Sequence, residues 1–474
     1  MGRRRDSKAS CRRRARAKGV GYNADVHVRR LRLTNFRCYR ALDLDLPSGP
    51  IVLAGRNAQG KSSLLEALHL VATTRSPHTG SEREMVNWEA ANEPLPHSRA
   101  EVELQRGDRV DTVEVVYAGR GRDSGSPRMQ KLVKVNGVQK RALDAIGTLN
   151  VVLFSPRDLA IVDGAPAERR RFLDVLLCQL DRDYCRELAR YNRVLTQRNH
   201  LLRDLRERHG DGGELGFWNE NLARHGAVVG VRRSRAVAAL AELAAAAHAE
   251  MAGSPPELRV RYVSSVKSDS PVVATGAGRL PATDYPLDGG SAERPPASVA
   301  AGASPGASPE RRAATPQGLS PEDGLPHSRD EEAAARAAFL AALAACERRD
   351  MARGATSIGP HRDDLELTVG DVDMRVYGSR GQQRTVALAL RLAEAQLMHD
   401  VSGEQPVVLL DDVLSELDDR RRSLLLSSIG AERQTLITTT TADRLPADFL
   451  GRSSLMHVDR ACVVAVSPAD SAEA

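Results

Sequence analysis

Eight consecutive residues, Gly55, Arg56, Asn57, Ala58, Gln59, Gly60, Lys61 and Ser62, satisfy GxxxxGK[ST], a spacing that lets a loop cradle phosphates. Its glycines admit backbone N–H groups to phosphate oxygens. The helix expected from Lys61 adds partial positive charge, Lys61 reaches the β/γ-phosphates, and the Ser62 hydroxyl ligates Mg²⁺. ATP with Mg²⁺ is the cofactor this pattern calls for. Such a site needs a second half, an apolar strand ending in carboxylates, and Val407-Val408-Leu409-Leu410-Asp411-Asp412 supplies it. Asp411 is expected to hold Mg²⁺ with Ser62. Asp412, one residue on, is placed to orient or deprotonate the attacking water, so Lys61 and Asp412 are the candidate catalytic residues.

Just ahead of that strand, Tyr377-Gly378-Ser379-Arg380-Gly381-Gln382-Gln383-Arg384 leads into the helical run TVALALRLAEAQL. It resembles the signature of ATP-binding-cassette (ABC) enzymes. Ser379, Gly381, Gln382 and Arg384 are then its residues at a helix N-terminus, gripping a γ-phosphate held by another subunit. Ser415-Glu416-Leu417-Asp418 resembles the loop crossing that same dimer interface, with Ser415 and Asp418 as its contacts. ABC enzymes usually carry Glu where Asp412 stands, and the shorter carboxylate implies slow hydrolysis. In GPHRDDL, the residues His361, Arg362, Asp363 and Asp364 read as a structured turn entering the strand LELTV rather than a metal site, because adjacent carboxylates on one short turn rarely face one ion.

Strands and helices must position these groups. Alternation from Val28 through Leu31, Leu33 and ALDLDL reads as strand, and Ile51 to Gly55 as a buried strand ahead of the phosphate loop. VELQ, TVEVVYAG and KLVKVNG are further β segments, with Asn136 and Gly137 at a hairpin turn. From Glu168 to about Met251 the pattern is helical. Leu180, Tyr184, Leu188, Tyr191, Leu195 and Leu202 form a packing stripe on a helix of about 30 residues, roughly 45 Å long. Arg182, Arg186, Arg190 and Arg193 line the opposite face as a candidate DNA-binding ridge. The same four residues also read as a solvated face balanced by Asp181, Asp183 and Glu187. Helical pattern resumes from Glu331 to Arg349.

The chain has 474 residues, too many for one ordinary core. Its six cysteines include no CxxC pair, which fits a reduced, cytoplasmic setting without disulfides. No apolar run of about 18 residues could span a bilayer, so no membrane partner is expected. Residues 1 to 18 carry nine Lys or Arg and one Asp, a net +8. With +6 for the whole chain, the rest stands at −2, so bulk charge does not argue that the folded body binds nucleic acid. Ten of the 24 prolines fall between 271 and 330, amid Gly, Ser and Ala. That composition cannot bury a core.

Taken together, four stretches resemble the RecF family of bacterial recombination and gap-repair ATPases, related to the heads of SMC proteins: LTNFRCYRALDLDLPSGPIVLAGRNAQGKSSLLEALHLVATTRS; VVLFSPRDLAIVDGAPAERRRFLDVLLCQLDRDY; RYNRVLTQRN; and GPHRDDL through YGSRGQQRTVALALRLAE to LLDDVLSELD. The resemblance implies an α/β, P-loop ABC-type (SMC-head-like) ATPase split by a helical arm, plus a disordered insertion. The expected divisions are a basic disordered extension (1–25), a head lobe with the phosphate loop (26–165), the arm (166–263), the insertion (264–330), a returning arm helix (331–353), a second head lobe (354–467) and a tail (468–474). Residues 1–25 are alternatively never made, if translation starts near Val26. The resemblance further implies an ATP-dependent homodimer that clamps single- and double-stranded or gapped DNA, and a weak, DNA-stimulated ATPase. It implies roles in replication, gap repair and SOS induction, with RecO and RecR as partners in loading recombinase. Ala58 stands where the family commonly has Gly, Arg157 where it has an acidic residue, and Ser62-Ser63 where it has Thr-Asn. The segment Phe154 to Asp158 lacks the Q-loop Gln of SMC proteins, and Ile437 to Thr441 offers Thr where transporters have a switch His. Two other readings share the motifs. An SMC-like DNA tether would need coiled coils of hundreds of residues, and a transporter subunit would have its motifs about 100 residues apart.

Overall fold

A computed structural model describes residues 26–120, 128–208, 212–253, 256–266, 328–430 and 433–465. The expected basic extension, the tail and all but the ends of the insertion lie outside these residues. In chain order, strands β1 (Val26–Phe36), β2 (Tyr39–Asp45) and β3 (Pro50–Ala54) lead into helix α1 (Lys61–Thr73). Strands β4 (His97–Arg106), β5 (Arg109–Arg120), β6 (Arg128–Val135) and β7 (Val138–Lys140) follow, then α2 (Ala142–Ala145), β8 (Val151–Phe154) and α3 (Leu159–Val162). Helices α4 (Pro166–Leu180), α5 (Arg182–Arg208) and α6 (Leu215–Ala252) come next, then β9 (Leu258–Val263) and α7 (Arg329–Arg353). The chain closes with β10 (Asp364–Val369), β11 (Val372–Asp373), α8 (Arg380–Ser402), β12 (Val407–Leu410), α9 (Asp419–Ser428), β13 (Thr435–Thr439), α10 (Ala447–Gly451), β14 (Ser454–Asp459) and β15 (Cys462–Ala465).

Three sheets organise these elements. One is antiparallel, in the order β2-β1-β4-β5-β6-β7; Leu31 and Leu33 are buried by alternation, and a register shift between Val28 and Arg30 lets Val28, three residues before Leu31, be buried as well. A second has the order β15-β14-β3-β13-β12-β8. Its five strands from β14 to β8 are parallel, and the runs VVLF and VVLL are fully buried, as strands covered on both faces must be. Strand β3 therefore reaches β12 only through β13, which brings residues 50–54, 151–154, 407–410 and 435–439 into one layer. The third sheet joins β9 to β10 and β11. The side chain of Gln434 sutures the first two sheets, accepting from Val28 N at 2.8 Å and donating to Val28 O and Pro47 O at 2.8 and 2.9 Å.

The helical stretch differs from expectation in one place. Leu180 ends α4, and Asp181 interrupts the run by accepting from the backbone N–H groups of Asp183 and Tyr184, both at 2.9 Å. The stripe thus spans a corner. Tyr184, Tyr191 and Leu202 are buried, and α5 has 27 residues, about 40 Å. At both edges of the expected insertion the described residues join the fold. Ser265 is held by Asp363, and α7 begins at Arg329 because Ser328 caps it, accepting from Asp330 N, with acids in its first turn.

Buried ion pairs pin the helices together. Arg198, fully buried, meets Asp350 at 3.0 Å, Thr356 Oγ1 at 2.7 Å and Asn219 at 2.8 Å, joining α5, α6 and α7. Arg169 of α4 forks onto Asp364 at 2.6 and 2.9 Å. The GPHRDD turn serves the same purpose: Pro360 O accepts from Arg233, His361 meets Tyr191 at 2.7 Å, and Asp363 accepts from Tyr262 and Ser265. No cluster of metal-ligating side chains occurs among the described residues. No helix among them is long and apolar enough to cross a membrane.

Candidate functional site

The carboxyl ends of β3, β8, β12 and β13 converge on one edge of the parallel sheet, where such sheets bind ligands. From β3 the chain turns through Gly55 at φ 157° into the loop, and a Cβ there would lie 2.2 Å from Val458 O. Gly60, the N-cap of α1 at φ 108°, has Cys38 Sγ and Tyr39 Oη both 2.8 Å from where a Cβ would sit. Only glycine fits either place. Ala58 also takes a left-handed backbone, φ 63°, which explains why glycine suits that position.

The loop is braced from outside. Tyr39 Oη donates to Gly60 O at 3.2 Å, and Gln59 accepts from Arg460 N at 2.6 Å through its side chain and from Ala461 N at 3.1 Å through its carbonyl. Arg56 and Asn57 form the loop's exposed rim. Lys61 is buried and curls back, donating to Gly55 O at 2.6 Å and Arg56 O at 2.8 Å. Burial lowers its pKa, while Asp412 and Asp411 act to raise it.

Ser62 Oγ donates to Asp411 Oδ1 at 2.7 Å across a sequence separation of 349. Asp411 is buried, its N–H bonded to Phe154 O at 2.9 Å and its carboxylate accepting from Thr438 Oγ1 at 3.1 Å. Asp412 is exposed, has left-handed backbone (φ 53°), and donates its N–H to Thr438 Oγ1 at 2.8 Å. Together with Leu414, Ser415, Thr438, Thr439, Thr440 and Leu445 it lines a cleft. A hydroxyl beside a carboxylate is an all-oxygen donor pair that suits Mg²⁺ completed by phosphate and water.

Thr438, inside β13, is the central residue the motifs did not assign; the Thr run from Thr438 to Thr441 marks the segment, but its contacts with Asp411 and Asp412 come only from the folded sheet. His78 was also missed. Its backbone is fixed by Ser76 Oγ, which accepts from His78 N at 2.9 Å, and by Arg157, which donates to His78 O at 3.2 Å. Burial lowers the pKa of its imidazole, with Glu66 and Asp411 opposing.

Ser379 caps α8 in a reciprocal box: its Oγ accepts from Gln382 N at 3.3 Å, and Gln382 Oε1 accepts from Ser379 N at 2.9 Å. Ser379, Gly381 and Gln382 are exposed, and a Cβ on Gly381 would meet open space. Arg384 does not project freely; it pairs with Glu416 at 3.1 Å. Ser415 Oγ donates to Asp412 O at 2.8 Å, and Asp418 caps α9, accepting from Arg421 N at 2.8 Å. On α5, Arg182, Arg190 and Arg193 are exposed and Arg186 is half-buried. Arg186 is tied to Asp144 at 3.1 Å and Asp183 at 3.0 Å, and Arg190 to Glu187.

The family described as the RecF/RecN/SMC N terminal domain matches residues 27–448. The DNA replication and repair protein RecF of Herpetosiphon aurantiacus is 40% identical over 447 residues, covering 92% of this chain and 99% of the relative. The protein of that name from Chloroflexus aurantiacus is 41% identical over 435 residues, covering 90% and 96%. Among solved structures, the ATP complex of the recombination mediator protein RecF of the RecFOR pathway superposes with a TM-score of 0.72 at 26% identity, covering 95% of this chain and all of that one. The architecture is an ABC-type, SMC-head-like ATPase interrupted by a helical arm. By sequence and by fold, the chain belongs to the RecF/RecN/SMC N-terminal domain family, and within it to the RecF proteins.

Proposed function

We propose that this chain is a DNA replication and repair ATPase of RecF type, in which ATP binding and the joining of two copies are one event. The observation that carries this reading is the exposed, preformed cap at Ser379. Ser379, Gly381 and Gln382 stand exposed at the start of α8, where the first N–H groups of a helix have no partner further along it, while the protomer's own Ser62 meets Asp411 at the phosphate loop. An anion brought by a second copy satisfies those N–H groups. Gly55 through Ser62 hold the triphosphate, with Lys61 exchanging its two backbone carbonyls for phosphate oxygens. Ser62 Oγ and Asp411 would hold Mg²⁺, which when bound would supply charge neutralisation at the phosphate oxygens. Asp412 orients the water from its cleft, and Thr438 Oγ1 positions both aspartates by donating to the Asp411 carboxylate and accepting from the Asp412 backbone N–H.

In this reading the closed pair clamps single- or double-stranded DNA, including gapped duplex, and slow hydrolysis releases it. The names of the relatives support a part in replication and repair, and the RecFOR mediator supports a part in recombination; gap repair with RecO and RecR, recombinase loading and SOS induction extend this reading by family resemblance.

The test is light scattering of the purified chain with and without ATP and Mg²⁺. A monomer that becomes a dimer only with ATP is expected, and Ser379→Arg should hold it monomeric while leaving nucleotide affinity intact. A Ser379→Arg chain that still dimerises with ATP would overturn the two-copy site.

A further inference from the structure

Helix α8 carries Arg380, Arg384 and Arg391 along one stripe, at spacings of four and seven. Each grips a segment that follows a strand of the parallel sheet. Arg380 pairs with Asp163 and Arg391 with Asp158, both beyond β8, whereas Arg384 pairs with Glu416, beyond β12. The far anchor is rigid: Arg391 also meets Glu394 at 2.6 Å and lies over the Phe172 ring at 5.1 Å. The near anchor is not. Arg384 and Glu416 keep 43% and 36% of their side-chain surface in solvent, so their pair is easily broken and remade.

Glu416 belongs to the turn that starts at Asp412. Ser415 Oγ donates to Asp412 O at 2.8 Å, and Glu416 N to Val413 O at 3.1 Å. A continuous path therefore runs from the Ser62–Asp411 pair through Asp412, Ser415 and Glu416 to Arg384, one helical turn from the Ser379 cap. Arg384, which the sequence reading assigned to a partner's phosphate, faces its own chain.

We propose that Arg384 and Glu416 are positioning residues that couple a protomer's own nucleotide end to the signature cap the same protomer offers to a second copy. The inference rests on the two-copy reading above. Two ATP sites linked in this way hydrolyse cooperatively, because occupancy of one sets the geometry of the cap completing the other.

Hydrolysis by the full chain, followed against ATP concentration, tests it with Arg384→Glu, Glu416→Arg and the double exchange. Each single reversal should lower kcat about tenfold and bring the Hill coefficient to about 1, with nucleotide affinity of the monomer unchanged. The double exchange should restore both. A merely structural pair would shift the melting temperature without moving the Hill coefficient. Arg384→Gln, which introduces no opposing charge, should show the same loss and covers the case in which a reversal unfolds the chain. Single variants with wild-type kcat and Hill coefficient, or a double exchange as impaired as its parents, overturn the coupling. Ser379→Arg, run in parallel, separates the two ideas. If it abolishes ATP-dependent dimers while the Arg384 and Glu416 variants behave as wild type, only the coupling falls; if dimers survive it, both fall.

Discussion

At Ala58 the phosphate loop holds an L-residue in left-handed backbone, at a cost of about 1 kcal/mol that glycine would avoid. Burial stores a different penalty in two histidines. His361 is lowered to about 4 and His69 to about 3, both by desolvation, so both are neutral in the folded chain. The unfolded chain takes up these protons near pH 6.5. Stability is therefore complete above 6.5 and lost as pH falls from there through about 4, by about 2 kcal/mol per histidine at pH 5. Carboxylates held low by arginine, such as Asp144 at about 2, surrender their contribution only below 3.8. Urea melts at pH 7.5 and 5 should show this loss, and His361→Gln should reduce it by about 2 kcal/mol; an undiminished loss would remove His361 from the account. The place of Lys61 in the loop and the meeting of Ser62 with Asp411 were legible because each motif is local and its spacing is chemical. Thr438, Tyr39 and the Gln59–Arg460 bond were not, since each depends on contacts that only the folded sheet creates, the last across 401 residues.

Helix α5 shows what periodicity gives and withholds. Tyr184, Tyr191 and Leu202 of its apolar stripe are buried and Leu188 and Leu195 partly so, yet the corner at Asp181 comes from a side chain capping a new helix, which an unbroken stripe conceals. The arginine face opposite is divided. Arg186 and Arg190 have acidic partners, whereas Arg182 and Arg193 stand exposed at different ends of the ridge's four residues. If this face touches DNA phosphates, replacing Arg182 and Arg193 with Ala should reduce the slope of log K against log salt by about 1.8, as two lost phosphate contacts do. Filter binding at several salt concentrations measures it. An unchanged slope returns the whole face to solvent.

Over the whole molecule, the order of sheets explains how motifs 349 residues apart meet: β13 inserts between β3 and β12, and the arm emerges between β8 and β12 without disturbing the parallel layer. The fold class was legible from the strand-loop-helix at one end and the apolar strand at the other. The seam between the two large sheets was not, because it hangs on Gln434, one polar residue in an unremarkable run. Gln434→Ala leaves Val28 N and O without partners in a buried place and should cost about 2 to 3 kcal/mol. Thermal melting followed by circular dichroism should show a lower midpoint; a midpoint equal to wild type would mean that the sheets are joined by apolar packing alone. Asp412 carries one further consequence. Left-handed backbone is tolerated best by glycine, asparagine and aspartate, residues whose side chains are absent or short. The reach of the carboxylate at this position is thus limited by the turn that presents it, and a longer acid there would bring conformational strain together with its extra carbon.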